Sequence, residues 1–207
     1  DTETDYDQVS PKLGVTYELN DNMNLYASYN TGFRAPSESQ LFRPSVAANA
    51  TEAAARALLA LRLKPITATQ IELGWRGTFS RWSLELAAFE TANADFSGNT
   101  MEMAPRVLGN TRVSWNPTER VDAQFEWIHI DEYWLEASNS SSFPRYGGHD
   151  LFNVRANWQA TPTLSVFARI YNLADTRYAD SAQISSNTPV YSPGLPRTYF
   201  AGVDVRW

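Results

Sequence analysis

The segment RTYFAGVDVRW, at residues 197–207, determines the fold class because its side chains alternate without interruption. One face carries the apolar residues Tyr199, Ala201, Val203, Val205 and Trp207. The opposite face carries Phe200, Gly202, Asp204 and Arg206, which are polar, small or mixed in character. Successive side chains of a strand point to opposite faces, so one face meets apolar surroundings and the other does not. This pattern is typical of a wall strand in a bacterial outer-membrane β-barrel, between lipid and lumen.

The same alternation recurs along the chain and predicts nine strands. The predicted strands are 11–20, 22–33, 67–77, 81–93, 105–116, 120–134, 150–160, 163–175 and 197–207. With an odd count, the first and last strands run in the same direction and cannot close in the ordinary antiparallel way. Three explanations stay open: a tenth strand within residues 1–10, an error in one strand, or a chain that forms part of a larger wall.

Short and long connections alternate between these strands. The short ones, rich in residues that favour tight turns, are 20–22, 77–80, 116–119 and 161–163. The long ones are 34–66, 94–104, 135–149 and 176–196. Short periplasmic turns and long extracellular loops are the asymmetry of outer-membrane barrels. The sequence therefore predicts one all-β domain over residues 1–207, a transmembrane antiparallel β-barrel of about 8–10 strands in the bacterial outer membrane.

The longest loop contains one predicted helix, at residues 50–63. Asn49 can cap its N-terminus, Glu52 completes a capping box, and Pro65 follows its end. The helix is too short to span a bilayer. Two interpretations are a lid or docking element and a local brace across the barrel mouth, of which the brace is the simpler.

Composition excludes several classes of function. The net charge is −6 and no basic cluster offers a surface that neutralises phosphates, so we expect no nucleic-acid partner. The absence of Cys excludes disulfides, thiolate nucleophiles and thiolate metal sites. We interpret His129 as a rim residue and His149 as a loop residue, and predict no metal site, no cofactor and no enzymatic activity. Because Asp1 begins an acidic segment, any export signal is expected to be removed or to lie outside this sequence.

Several segments, in this order, carry a family resemblance. Residues 10–17 (SPKLGVTY) and 24–36 (NLYASYNTGFRAP) resemble consecutive barrel strands, and residues 70–76 (QIELGWR) resemble the next descending strand. Residues 171–178 (YNLADTRY) are similar to an N-L-x-D-x-x-Y signature, and residues 194–198 (GLPRT) precede the final strand. Together these segments resemble TonB-dependent outer-membrane receptors of the siderophore-receptor type.

The resemblance implies energy-coupled uptake of scarce nutrients, most often ferric siderophores, through a large barrel closed by a plug. We expect this chain to correspond to the C-terminal barrel portion of such a receptor, shortened and without a plug domain, and not to be transport-competent alone. The expected partners are outer-membrane lipid, the barrel-assembly machinery through the C-terminal strand, and a ferric siderophore.

Candidate ligand contacts lie at the predicted extracellular mouth, where guanidinium groups and flat rings suit an anionic or aromatic iron chelate. These residues are Arg34, Phe42, Arg43, Tyr133, Trp134, Arg145 and Tyr146. Their alternative interpretation is that the rings anchor the interface and the arginines face a solvated lumen. The aromatic residues predicted to lie at the membrane interface are Trp75, Trp115, Trp127, Trp158 and Trp207.

Two other functional classes stay open from the sequence. A structural or engineered mini-barrel or pore would fold in detergent and bind no siderophore. An outer-membrane hydrolase would lose activity when one histidine is changed, although no local motif singles out a nucleophilic serine.

Overall fold

A computed structural model describes residues 6–36, 49–60, 63–94 and 99–206. Most of these residues belong to strands. The strands of the main sheet are β1 (Lys12–Asn20), β2 (Met23–Arg34), β3 (Ile66–Phe79), β4 (Trp82–Ala94), β5 (Val107–Thr118), β6 (Val121–Ile130), β9 (His149–Thr161), β10 (Leu164–Tyr171) and β13 (Thr198–Val205). Two smaller pairs are the ribbon of β7 (Tyr133–Trp134) with β8 (Arg145–Tyr146) and the hairpin of β11 (Ala179–Ser185) with β12 (Thr188–Pro193).

The main sheet has nine antiparallel strands in the order β1-β2-β3-β4-β5-β6-β9-β10-β13. Each strand pairs with its sequence neighbours once the two small pairs are set aside, so the topology is a simple meander. All nine predicted wall strands are confirmed. In the described residues β1 and β13 form the two edges and do not pair with each other, so the sheet is a partial barrel, in agreement with the expectation that nine strands cannot close in the ordinary antiparallel way.

The predicted alternation of connections is confirmed and defines the two ends of the sheet. Tight turns join β1 to β2, β3 to β4, β5 to β6 and β9 to β10, and we call this the short-turn end. Side chains stabilise these turns locally: the Asn22 amide donates to Asn20 Oδ1 at 2.9 Å, and the Arg120 amide donates to Thr118 Oγ1 at 3.2 Å. The long connections all lie at the opposite, long-loop end.

The pairing register sorts side chains onto two faces of different character. One row on the first face crosses six neighbouring strands through Ala201, Ala168, Ala156, Ala123, Trp115 and Trp82. A row on the second face crosses six strands through Asn24, Arg76, Glu85, Arg112, Glu126 and Asn153. We call these the apolar face and the polar face. The dyad pattern predicted from sequence therefore holds across the sheet as well as along each strand.

The long loop between β2 and β3 carries the predicted helix. Its described part, α1, runs from Ala50 to Ala60. The Glu52 amide donates to Asn49 Oδ1 at 2.9 Å, which confirms the predicted N-cap. Residues 61 and 62 of the predicted helix lie outside the described residues, and Leu63, its predicted last residue, is not helical. None of the described helical structure is long and apolar enough to cross a membrane.

Two predicted strands are too long, and one predicted loop contains structure. The sixth strand ends at Ile130 and not at residue 134, because Tyr133 and Trp134 turn away to pair with β8. The eighth ends at Tyr171, since Asn172 adopts a positive φ of 52° that a strand cannot continue through. The region 176–196, expected to be a loop, folds into the β11–β12 hairpin.

An aromatic ring packed on a glycine links β2 to β3 on the polar face. Tyr26 and Gly74 are register partners, and a Cβ added at Gly74 would overlap the phenol ring of Tyr26. The guanidinium of Arg76 lies 5.0 Å from the centre of the same ring, a cation–π contact. Gly74 therefore gives the ring room to lie flat across the strand.

We predict that Gly74→Ala destabilises the fold by about 1–3 kcal/mol, the usual cost of overpacking a filled site. The measurement is the free energy of unfolding in urea of the chain refolded in detergent micelles. Gly32→Ala is the matched control, because nothing lies within 4 Å of a Cβ at that position. Equal effects of the two substitutions would show that the Tyr26 ring does not impose the requirement.

Candidate functional site

Three long loops interlock at the long-loop end into one unit, the loop cap, defined by residues 99–106, 131–148 and 172–197. The Met103 amide donates to the Trp134 carbonyl at 2.9 Å, which joins the first loop to the second. The Ile184 amide donates to the Leu135 carbonyl at 2.9 Å, which joins the second to the third. The cap is thus held by backbone hydrogen bonds between loops distant in sequence.

The loop cap also contains the buried apolar cluster of the described residues. Its members are Tyr133, Leu135, Tyr146, Ala179 and Ala182, with Ile184 packed against them. Leu135 is 1% exposed and is the largest fully buried side chain of the described residues. Sequence patterning could not reveal this cluster, because its residues come from loops without regular periodicity.

Two candidate ligand residues, Tyr133 and Tyr146, are used to hold the loop cap. Each is 8% exposed, and their rings lie 4.9 Å apart. The Tyr133 hydroxyl accepts from the Ala182 amide at 3.1 Å, and the Tyr146 hydroxyl accepts from the Ala179 amide at 3.1 Å. Burial raises the pKa of the Tyr133 phenol above its ordinary value. Both phenols are therefore engaged by the protein itself.

Two further candidates, Trp134 and Arg145, form a pair on the surface of the loop cap. They are register partners in the β7–β8 ribbon, and the Arg145 guanidinium lies 3.9 Å from the centre of the indole ring. Arg145 also donates to Glu132 Oε1. The pair borders a cavity of about 310 Å³ that is also lined by Thr100, Ala104, Arg106, Asp131, Glu132 and Tyr133. An oriented guanidinium beside a flat ring is suited to an aromatic anion.

The remaining candidate ligand residues are not brought to this pair by any described contact. Arg34 ends β2 at the long-loop end, opposite Ile66. Phe42 and Arg43 lie outside the described residues. Four of the seven candidates therefore lie together in the β7–β8 ribbon. Two of them are buried tyrosines, and the other two form the surface pair.

The two histidines lie near the loop cap. His129 Nδ1 lies 2.9 Å from Asp150 Oδ1, and the Trp127 indole donates to the same carboxylate at 2.8 Å. His149 Nδ1 lies 2.7 Å from the Tyr146 hydroxyl. Within the described part of the chain neither ring is hydrogen-bonded to a serine, and no group of three His, Cys, Asp or Glu is arranged to hold a metal ion.

A turn between β10 and β11 fixes the base of the β11–β12 hairpin. Asn172 is 2% exposed, and its side chain donates to the carbonyls of Thr176 and Leu195 at 2.9 Å each. Asp175 Oδ1 accepts from the Arg197 amide at 2.9 Å. Gly194 lies against the ring of Tyr178, where a Cβ would overlap it. The segment that resembled an N-L-x-D-x-x-Y signature therefore acts here as a structural brace between the two ends of one long loop.

An alternating row of charges crosses the polar face below the loop cap. Arg76 Nε lies 3.6 Å from Glu85, and Arg112 bridges Glu85 at 3.1 Å and Glu126 at 3.2 Å. The Asn153 amide donates to the second oxygen of Glu126 at 3.1 Å. Each charged side chain of the row therefore has an oppositely charged partner within the row.

Comparison with known proteins agrees with this architecture. Residues 1–96 match a family model described as "TonB dependent receptor-like, beta-barrel". This part of the chain is similar to the barrel of TonB-dependent receptors. The family resemblance inferred from sequence is thereby confirmed.

Solved structures extend the likeness to most of the chain. The ferric-catecholate import receptor Fiu from E. coli K12, in its closed form, aligns with a TM-score of 0.56 and 16% identity over 94% of this chain and 34% of that one. The siderophore receptor PiuA from Acinetobacter baumannii aligns with a TM-score of 0.58 and 12% identity over 95% and 35%. The copper transporter OprC aligns with a TM-score of 0.55 and 14% identity over 96% and 39%. At these identities the likeness shows the fold, and the chain spans about a third of the length of Fiu and PiuA.

We predict that Leu135→Ala opens the loop cap while the sheet stays folded. The substitution leaves a cavity in the buried cluster and should cost about 2–5 kcal/mol locally. Amide hydrogen exchange in micelles should accelerate in 179–185 and stay unchanged in β3 and β4. Leu195→Ala is the control, since that side chain is 56% exposed. Uniform acceleration over the sheet would contradict an independent cap.

Proposed function

We propose that this chain forms a wall and the extracellular loop cap of a bacterial outer-membrane receptor related to those that take up ferric siderophores. In this proposal the apolar face meets lipid, the polar face meets the lumen, and the short turns lie on the periplasmic side. The segment by itself is not a complete transporter, in keeping with the partial barrel and the fraction of receptor length that it spans.

The observation that supports the proposal most strongly is a broad apolar face with no protein layer against it. Leu73 is 58% exposed, Trp158 is 53% exposed and Val203 is 61% exposed, although they lie on distant strands. No described element packs on this face, and the buried cluster lies in the loop cap instead. Soluble proteins rarely expose apolar patches of this extent, whereas a lipid-facing wall requires one.

The predicted interfacial tryptophans fit this orientation. Trp82 and Trp115 stack with ring centres 5.2 Å apart near the short-turn end, and Trp75 lies 6.3 Å from Phe79. Trp158 lies at the same end, and Trp127 lies at the long-loop end. Trp207 lies outside the described residues. We infer two aromatic girdles, one at each interface, and an assembly contact through the C-terminal strand.

A charged residue at the centre of the apolar face tests the membrane assignment. We expect Ala156→Arg to disfavour folding into lipid bilayers by about 2–4 kcal/mol, because an arginine near the bilayer midplane is poorly solvated. Asn157→Arg, the next residue of β9 and on the polar face, is the matched control and should have a small effect. The measurement is the urea dependence of folding into liposomes, and equal effects on both faces would contradict a lipid-facing wall.

The Trp134–Arg145 pair is our proposed contact for an aromatic or anionic ferric chelate. The support is its position on the cap surface, beside a cavity of about 310 Å³, and the similarity of the fold to that of the siderophore receptor PiuA. The two buried tyrosines act through the cap, since their hydroxyls are engaged by backbone amides. Arg34, Phe42 and Arg43 remain proposed contacts on the basis of residue type alone.

Binding of ferric siderophores to the purified full chain in micelles tests this assignment. We expect at least one member of a panel of ferric catecholates, hydroxamates and carboxylates to bind, and Trp134→Ala to weaken its Kd about tenfold, which corresponds to about 1.4 kcal/mol. Arg81→Gln, at the far end of the sheet, is the control and should leave the Kd unchanged. Absence of binding across the panel would favour the structural mini-barrel.

The His129–Asp150 contact is the one feature that favours the hydrolase alternative. A carboxylate that orients an imidazole is part of a catalytic triad, but the described contacts supply no serine beside it. Lipid or peptide hydrolysis by the purified chain that disappears in His129→Asn would establish that alternative in place of the receptor function.

A further inference from the structure

The polar face contains two arginines that are juxtaposed without a compensating carboxylate. Arg155 on β9 and Arg169 on β10 are register partners in the antiparallel pairing, and both side chains are exposed. Residues directly opposite in such a pair have Cβ atoms about 4.5–5.5 Å apart, so like charges there repel. Within the described ranges neither arginine forms an ion pair with Asp or Glu.

In the neighbouring row of the same face, each arginine is neutralised by a glutamate on an adjacent strand. In that row Arg76, Glu85, Arg112 and Glu126 alternate in sign. The row that contains the arginine pair instead runs through Ser83, Ser114, Gln124, Arg155, Arg169 and Phe200. Gln124 donates to Ser114 at 2.9 Å and contributes no charge. The positive charge of the pair is therefore a local excess.

The arginine pair lines a concavity of suitable size. Arg155 and Arg169 border a cavity of about 380 Å³, together with Arg112, Gln124, Glu126, Asn153 and Tyr171. Arg112 and Glu126 pair with each other in the charge row, which leaves the two guanidiniums of the pair as the net charge of the lining. The Arg169 guanidinium lies 5.2 Å from the centre of the Phe167 ring, and this cation–π contact restrains the orientation of the guanidinium.

We propose that Arg155 and Arg169 form an oxyanion-binding site in the wall, for a small molecule that carries carboxylate or phosphate groups. Two planar guanidiniums can each donate a pair of hydrogen bonds to such a group, and an anion between them removes their mutual repulsion. The site lies below the loop cap, on strands and not on loops, and is separate from the Trp134–Arg145 pair. It does not depend on the proposed siderophore function, because a wall of any role would present it.

Isothermal titration of the purified full chain in micelles tests the site, with citrate and inorganic phosphate as the two probes and sodium chloride at matched ionic strength as the reference. We expect at least one probe to bind, and the variant Arg155→Gln/Arg169→Gln to weaken its Kd at least tenfold. The probe that binds identifies the class of anion. Arg81→Gln, which removes one positive charge at a turn, is the matched control and should leave the Kd unchanged.

A second variant and a second measurement separate binding from folding. Arg169→Lys keeps the charge but loses the bidentate geometry, so we expect it to fold and to bind at least threefold more weakly. Without added anion, Arg155→Gln should raise Tm by about 2 °C, because it removes the like-charge contact. The proposal is overturned if neither probe binds beyond the sodium chloride reference, or if the control variant weakens binding as much as the double variant.

Discussion

The backbone pairing of nine antiparallel strands is the constraint on which the rest of this structure depends. Once neighbouring strands exchange hydrogen bonds in a fixed register, alternate side chains must point to opposite faces. A slip by one residue would exchange the two faces of a strand, placing residues such as Arg112 among the apolar side chains. The apolar row that ends at Ala201 and the charge row that contains Glu126 are both products of this single register.

The same constraint explains where buried apolar residues occur. A single sheet has no second protein layer to cover its apolar face, so Leu73 and Val203 remain exposed in the chain itself. The buried cluster forms where loops fold back on one another, around Leu135. The molecule therefore combines a sheet whose apolar face is not covered by protein with a small loop cap that buries its own apolar side chains.

The strands of the main sheet could be predicted from the sequence, whereas the packing of the loop cap could not, for a physical reason. Strand period and turn composition are local properties, so the nine strands and the Asn49 cap of the helix could be predicted from short segments. The β11–β12 hairpin and the burial of Tyr133 and Tyr146 depend on contacts between distant loops. Residue type alone predicted both tyrosines as ligand contacts, and only the structure shows that their hydroxyls accept hydrogen bonds from the backbone amides of Ala179 and Ala182.

The sequence by itself determined the two faces of each strand and the alternation of short and long connections, because both follow from backbone geometry and local turn chemistry. It also carried the family resemblance that the match over residues 1–96 confirms. Only the tertiary structure decided which charges meet across strands. Arg112 lies between two carboxylates, whereas Arg155 faces Arg169. Partners of this kind are set by the register between paired strands, which the alternation within a single strand does not encode.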